Sequence, residues 1–292
     1  MARLRLALVT DIHHGPNYGT KLGESALPLL ARFRHWCASN APDVVVELGD
    51  RINNVSADTD ARLTAEVAAA FRGFGQPVTH LLGNHDCHAL SVEQAEAAFQ
   101  KSFRSHSLDR NGFHLVFWNA NAEKHPANGY TANAADFDWL ERDLAATELP
   151  TVVFSHFPLD GGSMAGNLYF EKGPSAGLGG YANSEAARAL IEAQGRVVLC
   201  LSGHTHWNAL SVIDGIPYVT IPSLTEGFMS WPHPAAAWAG CELDDDVHIR
   251  IEGEVPVEYR LPMRRLGRHW VSKHRDYAPK PPERVVPKGR SG

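Results

Sequence analysis

Seven polar residues of this chain are of the types that hold divalent metal ions: Asp11, His13, Asp50, Asn84, His156, His204 and His206. Each follows an apolar run. "RLRLALVT" ends at Asp11, "DVVVELGD" ends at Asp50 and "VTHLLGNHD" delivers Asn84. "TVVFSH" delivers His156, and "VVLCLSGHTH" delivers His204 and His206, two imidazoles separated by one threonine. A mix of carboxylate, imidazole and amide donors exceeds what one tetrahedral ion needs. It suits two divalent ions that share a ligand. Asp50 is the natural shared one, because a carboxylate has two oxygens whereas a neutral imidazole offers one free lone pair.

The elements that must position these residues are legible from patterning. Short Val- and Leu-rich runs suit strands covered on both faces. In open α/β sheets, sites lie outside the carboxyl ends of the strands, so parallel strands would gather donors that are about two hundred positions apart. Helical spacing recurs between the runs: Ala26, Leu29, Leu30, Phe33, Trp36 and Cys37; Leu63, Val67 and Phe71; Trp139, Leu140 and Leu144; and Ser184 to Ile191, stopping at Gly195. Ser91 with Gln94 forms a capping-box pattern ahead of Phe99. The final third changes character. "ALSVIDGIPYVTIP" places Asp214-Gly215 between two apolar stretches, a hairpin signal, and "AAWAGCEL" and "VHIRIEGEV" read as further antiparallel strands. These features predict one α/β domain with a mixed sheet over residues 1–272.

Residues 159–183, "LDGGSMAGNLYFEKGPSAGLGGYAN", contain seven glycines and no periodic pattern, and they begin just after His156. Loops this long within a domain often bind or cover a ligand. Tyr169, Phe170 and Tyr181 could stack on a flat group, and Lys172 is a candidate phosphate contact. The alternative is that the aromatics pack the loop onto its own domain. Exchanging residues 163–180 for a short connector is expected to leave metal binding intact and to impair substrate selection.

Composition bounds the rest. The chain has 292 residues, 44% hydrophobic and 21% charged, with a net charge of −6. An acidic body excludes a general nucleic-acid binder, which needs a basic face. Residues 273–292 carry six Lys or Arg against Asp276 and Glu283, and include four prolines. This basic tail reads as a solvated arm, with packing across a partner subunit in a homo-oligomer as the alternative. Cys37, Cys87, Cys200 and Cys241 show no CxxC pairing and read as free thiols in a reducing compartment. The run from Leu6 to Val9 is too short for a signal-peptide core, and no stretch approaches a membrane span. The cytoplasm is the expected location.

The blocks "DIH" 11–13, "GD" 49–50, "GNHD" 83–86, His156 and "GHTH" 203–206, in that order, resemble the calcineurin-like metallophosphoesterases. The resemblance spans roughly residues 5–225. It implies two mixed β-sheets packed as a sandwich flanked by helices, and a dinuclear centre of manganese, iron or zinc. It assigns Asp11, His13 and His206 to one ion, Asn84, His156 and His204 to the other, and Asp50 to both. His85 corresponds to the family's histidine beside the metals that contacts the substrate phosphate. Asp86, next to it, could orient His85 or a ligand. The layout is similar to the bacterial cyclic-nucleotide and glycerophosphodiester phosphodiesterase branch. It departs from it at Arg51, where a small or apolar residue is more familiar, and at Asn53, where the family often has an acid.

The activity this implies is hydrolysis of a small phosphate ester by a metal-bound hydroxide. Two ions about 3.5–4 Å apart cancel phosphate charge and lower the pKa of a bound water. No protein nucleophile is then needed: there is no GxSxG, and Cys87 has no evident base. His85 would stabilise developing charge or protonate the leaving alkoxide. The expected substrate is a small diester: a cyclic nucleotide, a glycerophosphodiester or a nucleotide derivative. The alternatives are a phosphomonoesterase and a non-catalytic scaffold of the same fold.

Overall fold

Residues 3–268 are described by a computed structural model; the basic tail 273–292, and with it the subunit-packing alternative, lies outside them. The chain runs through β1 (Leu4–Val9), α1 (Ala26–Asn40), β2 (Val44–Glu47), α2 (Ala57–Phe71), β3 (Val78–His80) and α3 (Val92–Phe99). It continues through β4 (His106–Arg110), β5 (Phe113–Phe117), β6 (Lys124–His125), β7 (Gly129–Tyr130), α4 (Ala134–Ala145) and β8 (Thr151–Phe154). It ends with α5 (Ser184–Ala193), β9 (Val197–Ser202), β10 (Ala209–Ile213), β11 (Ile216–Thr220), β12 (Trp238–Leu243), β13 (Asp246–Glu252) and β14 (Val257–Pro262).

The strands form two six-stranded mixed sheets, in the orders β14-β13-β12-β1-β2-β3 and β10-β11-β9-β8-β5-β4. β1, β2 and β3 are mutually parallel, as are β5, β8, β9 and β11; antiparallel strands complete one edge of the first sheet and both edges of the second. Alternation along the strands explains the layering. Leu4, Leu6, Leu8, Val44 and Val46 face Leu115, Phe117, Phe154, Leu199 and Leu201 between the sheets. The intervening Ala7, Val9 and Val45 face α1, α2 and α3 through Leu30, Phe33 and Val67. Val116, Val153 and Cys200 meet Leu140, Leu144, Ala187 and Ile191 of α4 and α5. The sandwich flanked by helices is therefore present.

Local signals account for the boundaries. Ser91 and Gln94 close the capping box that starts α3. Asp214 and Gly215 both take positive φ, 52° and 74°, which the two-residue turn joining β10 and β11 requires. β3 ends at His80, four residues before Asn84, so that run becomes a strand for less of its length than its apolar character suggests.

Candidate metal centre

The seven residues gather where the loops after β1, β2, β3, β8 and β9 meet. They sit in tight turns just beyond the strands. Asp11, His13, Asp50, His204 and His206 have left-handed backbones, with φ between 45° and 71°. The turns are laced together: Asp11 N–H donates to the Gly49 carbonyl (3.0 Å), His13 N–H to the Asp50 carbonyl (3.1 Å) and Gly203 N–H to the His156 carbonyl (2.9 Å). Two motif glycines are required by this crowding. A Cβ on Gly83 would collide with the Asp50 carboxylate, and one on Gly203 with the Thr10 hydroxyl.

The donor atoms fall into two groups, one of Asp11, His13, Asp50 and His206 and one of Asp50, His156 and His204. In the first, His206 Nε2 lies 3.3 Å from Asp11 Oδ1, and His13 Nε2 lies 3.8 Å from both Asp11 Oδ1 and Asp50 Oδ2. His13 Nε2 and His206 Nε2 approach to 2.9 Å. In the second, His156 Nε2 is 3.5 Å from Asp50 Oδ2. Bonds of about 2.0–2.2 Å to a common ion give donor–donor edges of roughly 2.8–3.6 Å, and the spacings here lie within a few tenths of an ångström of that range. Among the described residues, buried Asp11 Oδ1, Asn84 Oδ1, His156 Nε2 and His204 Nδ1 have no hydrogen-bond partner. Most buried polar atoms in proteins are paired, and these four orphans fit a cation site because they fall within the donor groups.

The opposite sides of Asp11, Asp50, His156, His204 and His206 are anchored, which fixes each tautomer or free oxygen; His13 Nδ1 has no partner among the described residues. His156 Nδ1–H donates to the Leu48 carbonyl (2.8 Å), His204 Nε2–H to the Leu178 carbonyl (2.8 Å) and His206 Nδ1–H to Glu226 Oε2 (3.1 Å). Asp11 Oδ2 accepts from Thr10 Oγ1 (2.7 Å) and His204 N–H (2.8 Å), leaving Oδ1. Asp50 Oδ1 accepts from His85 N–H at 2.8 Å. Asp50 Oδ2 faces both groups. Electrostatics agree with a cation site. Burial opposes charge on His156, yet Asp50 and Asp11 raise its pKa to about 9. Burial also opposes charge on Asp50, but His156 and His85 hold it well below the usual carboxylate range.

The sequence profile of the calcineurin-like phosphoesterases matches residues 4–208. The chain belongs to this family. Among solved structures, a dimetal phosphatase from Danio rerio superposes with a TM-score of 0.69 at 16% identity, over 89% of this chain and 98% of that one. A purple acid phosphatase from yellow lupin seeds gives 0.63 at 13%, over 89% of this chain and 54% of the lupin chain. GAP50, the anchor in the inner membrane complex of Plasmodium, gives 0.56 at 13%, over 91% of each. At these identities the likeness is one of fold. No curated protein matches the chain.

Membership makes the chain a metal-dependent phosphoester hydrolase. The phosphoesterase site carries several residues that sequence reasoning missed. The Arg51 departure is part of a buried charge cluster under Asp50. Its guanidinium meets Glu47 Oε2 (2.7 Å), Asp86 Oδ2 (3.0 Å) and the Leu81 carbonyl, and it lies over the Phe99 and Phe103 rings. Glu47, an acid inside a Val run, was the available signal. Asp86 touches no side chain of His85. It accepts from the backbone N–H of Gly83 (2.9 Å), Asp50 (2.9 Å) and Arg51 (3.0 Å), and so clamps two ligand loops together. His85 is oriented by Asn54 instead, through Nδ1 to Oδ1 at 2.6 Å. Asn53 is buried and donates to the Pro16 carbonyl (3.1 Å). Burial and the neighbouring Asp86 push the Cys87 thiol up to about 12.

The 159–183 segment covers this site. Phe170 packs on His204 (ring centroids 4.9 Å apart) and Tyr169 on His206 (5.5 Å). Tyr169 O–H donates to Glu226 Oε2 (2.8 Å), and Asn167 Nδ2 donates to the Thr205 carbonyl (2.8 Å). Leu178 supplies the carbonyl that anchors His204. Exchanging 163–180 would thus also remove the Leu178 anchor of His204 and the ring contacts to His204 and His206. Tyr181 packs into the core on Phe157 and Trp118. Lys172 is exposed and pairs with Glu171 at 3.4 Å, away from the cavity lining. That cavity, about 160 Å³, is lined by Asp50, Asn84, His85, Tyr130, Lys21 and Lys124 among others. A larger cleft of about 280 Å³ between Arg3, Arg5, Trp36 and Arg250 lies elsewhere, and no orphaned buried atom belongs to its lining.

Proposed function

We propose that this phosphoesterase hydrolyses a small phosphodiester with one flat organic arm. Asp11, His13, His206 and Asp50 would hold one divalent ion, and Asp50, Asn84, His156 and His204 a second. The observation that carries the reading is the set of orphaned donors facing a cavity walled by Tyr130, Tyr169 and Phe170. Bound there, the ions would supply Lewis-acid neutralisation of phosphoryl charge and the acidification of water.

The chain's own residues would do the rest. The aromatic walls would receive the flat arm and exclude bulk water. His85 Nδ1, facing the Asn54 carbonyl oxygen, carries its hydrogen, so Nε2 presents its lone pair to the cavity. Burial and Lys21 push the His85 pKa down to about 4, which an arriving anion would raise. His85 would then place a proton near the leaving oxygen or steady the charge forming there.

A second reading, a phosphomonoesterase, is favoured by the two ammonium groups in the lining, since a monoester brings two negative charges. The scaffold alternative is opposed by the full donor set and His85. All four cysteines are free, which supports the cytoplasm as the location; among the described residues no helix is long and apolar enough to cross a membrane.

Steady-state kinetics on bis-p-nitrophenyl phosphate and p-nitrophenyl phosphate, with protein loaded in turn with manganese, iron and zinc, test the proposal. We expect two ions per chain at saturation, activity that disappears with chelator, and a higher kcat/KM on the diester. A saturating value of one ion, or turnover of the monoester alone, would refute the corresponding part.

A further inference from the structure

Among the described residues, no counter-ion contacts the Lys21 ammonium group. Its loop is not loose: Tyr18 and Lys21 exchange backbone hydrogen bonds of 2.9 and 3.0 Å. Leu22 N–H donates to the Thr225 carbonyl (3.0 Å), and Gly227 N–H to the Thr20 carbonyl (2.8 Å). The side chain is half-buried, turns into the metal-centre cavity, and places Nζ 3.4 Å from His85 Nε2 and 5.6 Å from the centre of the Tyr169 ring. Burial pushes its pKa down; Asp50, Glu226 and Asp11 attract it through space, but none hydrogen-bonds it. A partly desolvated ammonium group is unfavourable unless an anion meets it. Once Asp11 and Asp50 face divalent ions, their attraction for Lys21 is largely cancelled; Glu226 is already engaged by His206 and Tyr169, and an anion that enters the cavity can meet the ammonium directly.

We propose that Lys21 contacts the substrate, donating from Nζ to a non-bridging phosphoryl oxygen on the side of the cavity where His85 stands. This rests on the phosphoesterase reading above and adds a recognition residue to it. Lys124, exposed on the lining, serves as a comparison: water and salt screen its charge.

The experiment uses the full chain loaded with manganese, as wild type and as Lys21→Met, Lys21→Arg and Lys124→Met. Metal content is read by elemental analysis, binding of inorganic phosphate by titration calorimetry, and kcat and KM on both nitrophenyl esters. Lys21→Met should keep two ions per chain and bind phosphate on the order of 10–100-fold more weakly, as for loss of one charged hydrogen bond. Lys21→Arg should recover most of that loss, and Lys124→Met should shift it by less than about threefold. The Lys21→Met loss in kcat/KM should be larger on the dianionic monoester than on the diester. Unchanged phosphate affinity in Lys21→Met overturns the proposal. So does a loss of metal in step with phosphate, which would make Lys21 a support for the ligand carboxylates. A wild type that turns over neither ester refutes the hydrolytic reading, while the phosphate titration still decides Lys21.

Discussion

Asp50→Ala empties both halves of the metal centre together and lowers kcat/KM by roughly 10³-fold or more, the order expected when several kcal/mol of metal-borne charge stabilisation are lost. The reason is geometric. Asp50 Oδ2 stands 3.8 Å from His13 Nε2 and 3.5 Å from His156 Nε2, so one oxygen serves both donor groups. Its partner oxygen is already engaged by the His85 N–H, so nothing on the residue is spare. Each remaining group keeps its histidines but loses the charge that makes them attractive to a cation. His204→Ala, by contrast, removes a donor of the second group only. Elemental analysis after dialysis separates the cases: near zero for Asp50→Ala and near one for His204→Ala. An Asp50→Ala protein that retains one tightly held ion would show that the two groups are independent.

The second large effect is expected at a residue that holds no metal. His85→Asn should lower kcat by about two to four decades, the range for losing a positioned acid or charge-stabilising donor, with two ions still bound. The substitution keeps the backbone N–H that supports Asp50, because that bond comes from the main chain. It removes an imidazole that Asn54 aims and that packs edge-on against His13, with ring centroids 4.8 Å apart. Metal content is the deciding control. If it falls with kcat, His85 is serving as a ligand, and if kcat is unchanged the residue is a bystander.

The candidate donors were legible because the apolar runs before them form parallel strands, and parallel strands leave their carboxyl ends on one edge. β1 and β2 of one sheet and β8 and β9 of the other deliver Asp11, Asp50, His156, His204 and His206 in that way. Capping chemistry at Ser91 and the Asp214-Gly215 turn were legible for the same kind of reason, since each is a local rule with a fixed offset. β4 was not, because HSLDR is an exposed edge strand without the apolar alternation that marks a strand facing a core. The surroundings of the site follow no local rule either. Lys21 pairs as an isolated bridge with Glu226, some two hundred residues away, so both reach the site through loop-to-loop contact without a periodic trace. Arg51 looked like a departure from pattern, and its meaning depended on Glu47, Asp86, Phe99 and Phe103 converging around it. Lys172, a candidate phosphate contact from its sequence position, is exposed, because the covering segment turns Tyr169 and Phe170 inward and its lysine out.

The bonds from that segment to the ligand histidines tie two equilibria together. The Leu178 carbonyl steadies His204, and Tyr169 steadies Glu226, which steadies His206. Reciprocity then applies: an ion that binds better when those histidines are steadied must stabilise the closed cover by the same factor. A cavity of about 160 Å³ is small beside the 300–1,000 Å³ of typical ligand pockets, so a substrate of nucleotide size has to lift the cover to enter. Lifting it works against the ion's own affinity. On that coupling, the metal that binds most tightly would hold the cover most firmly, and turnover is expected to be fastest with an ion of intermediate affinity.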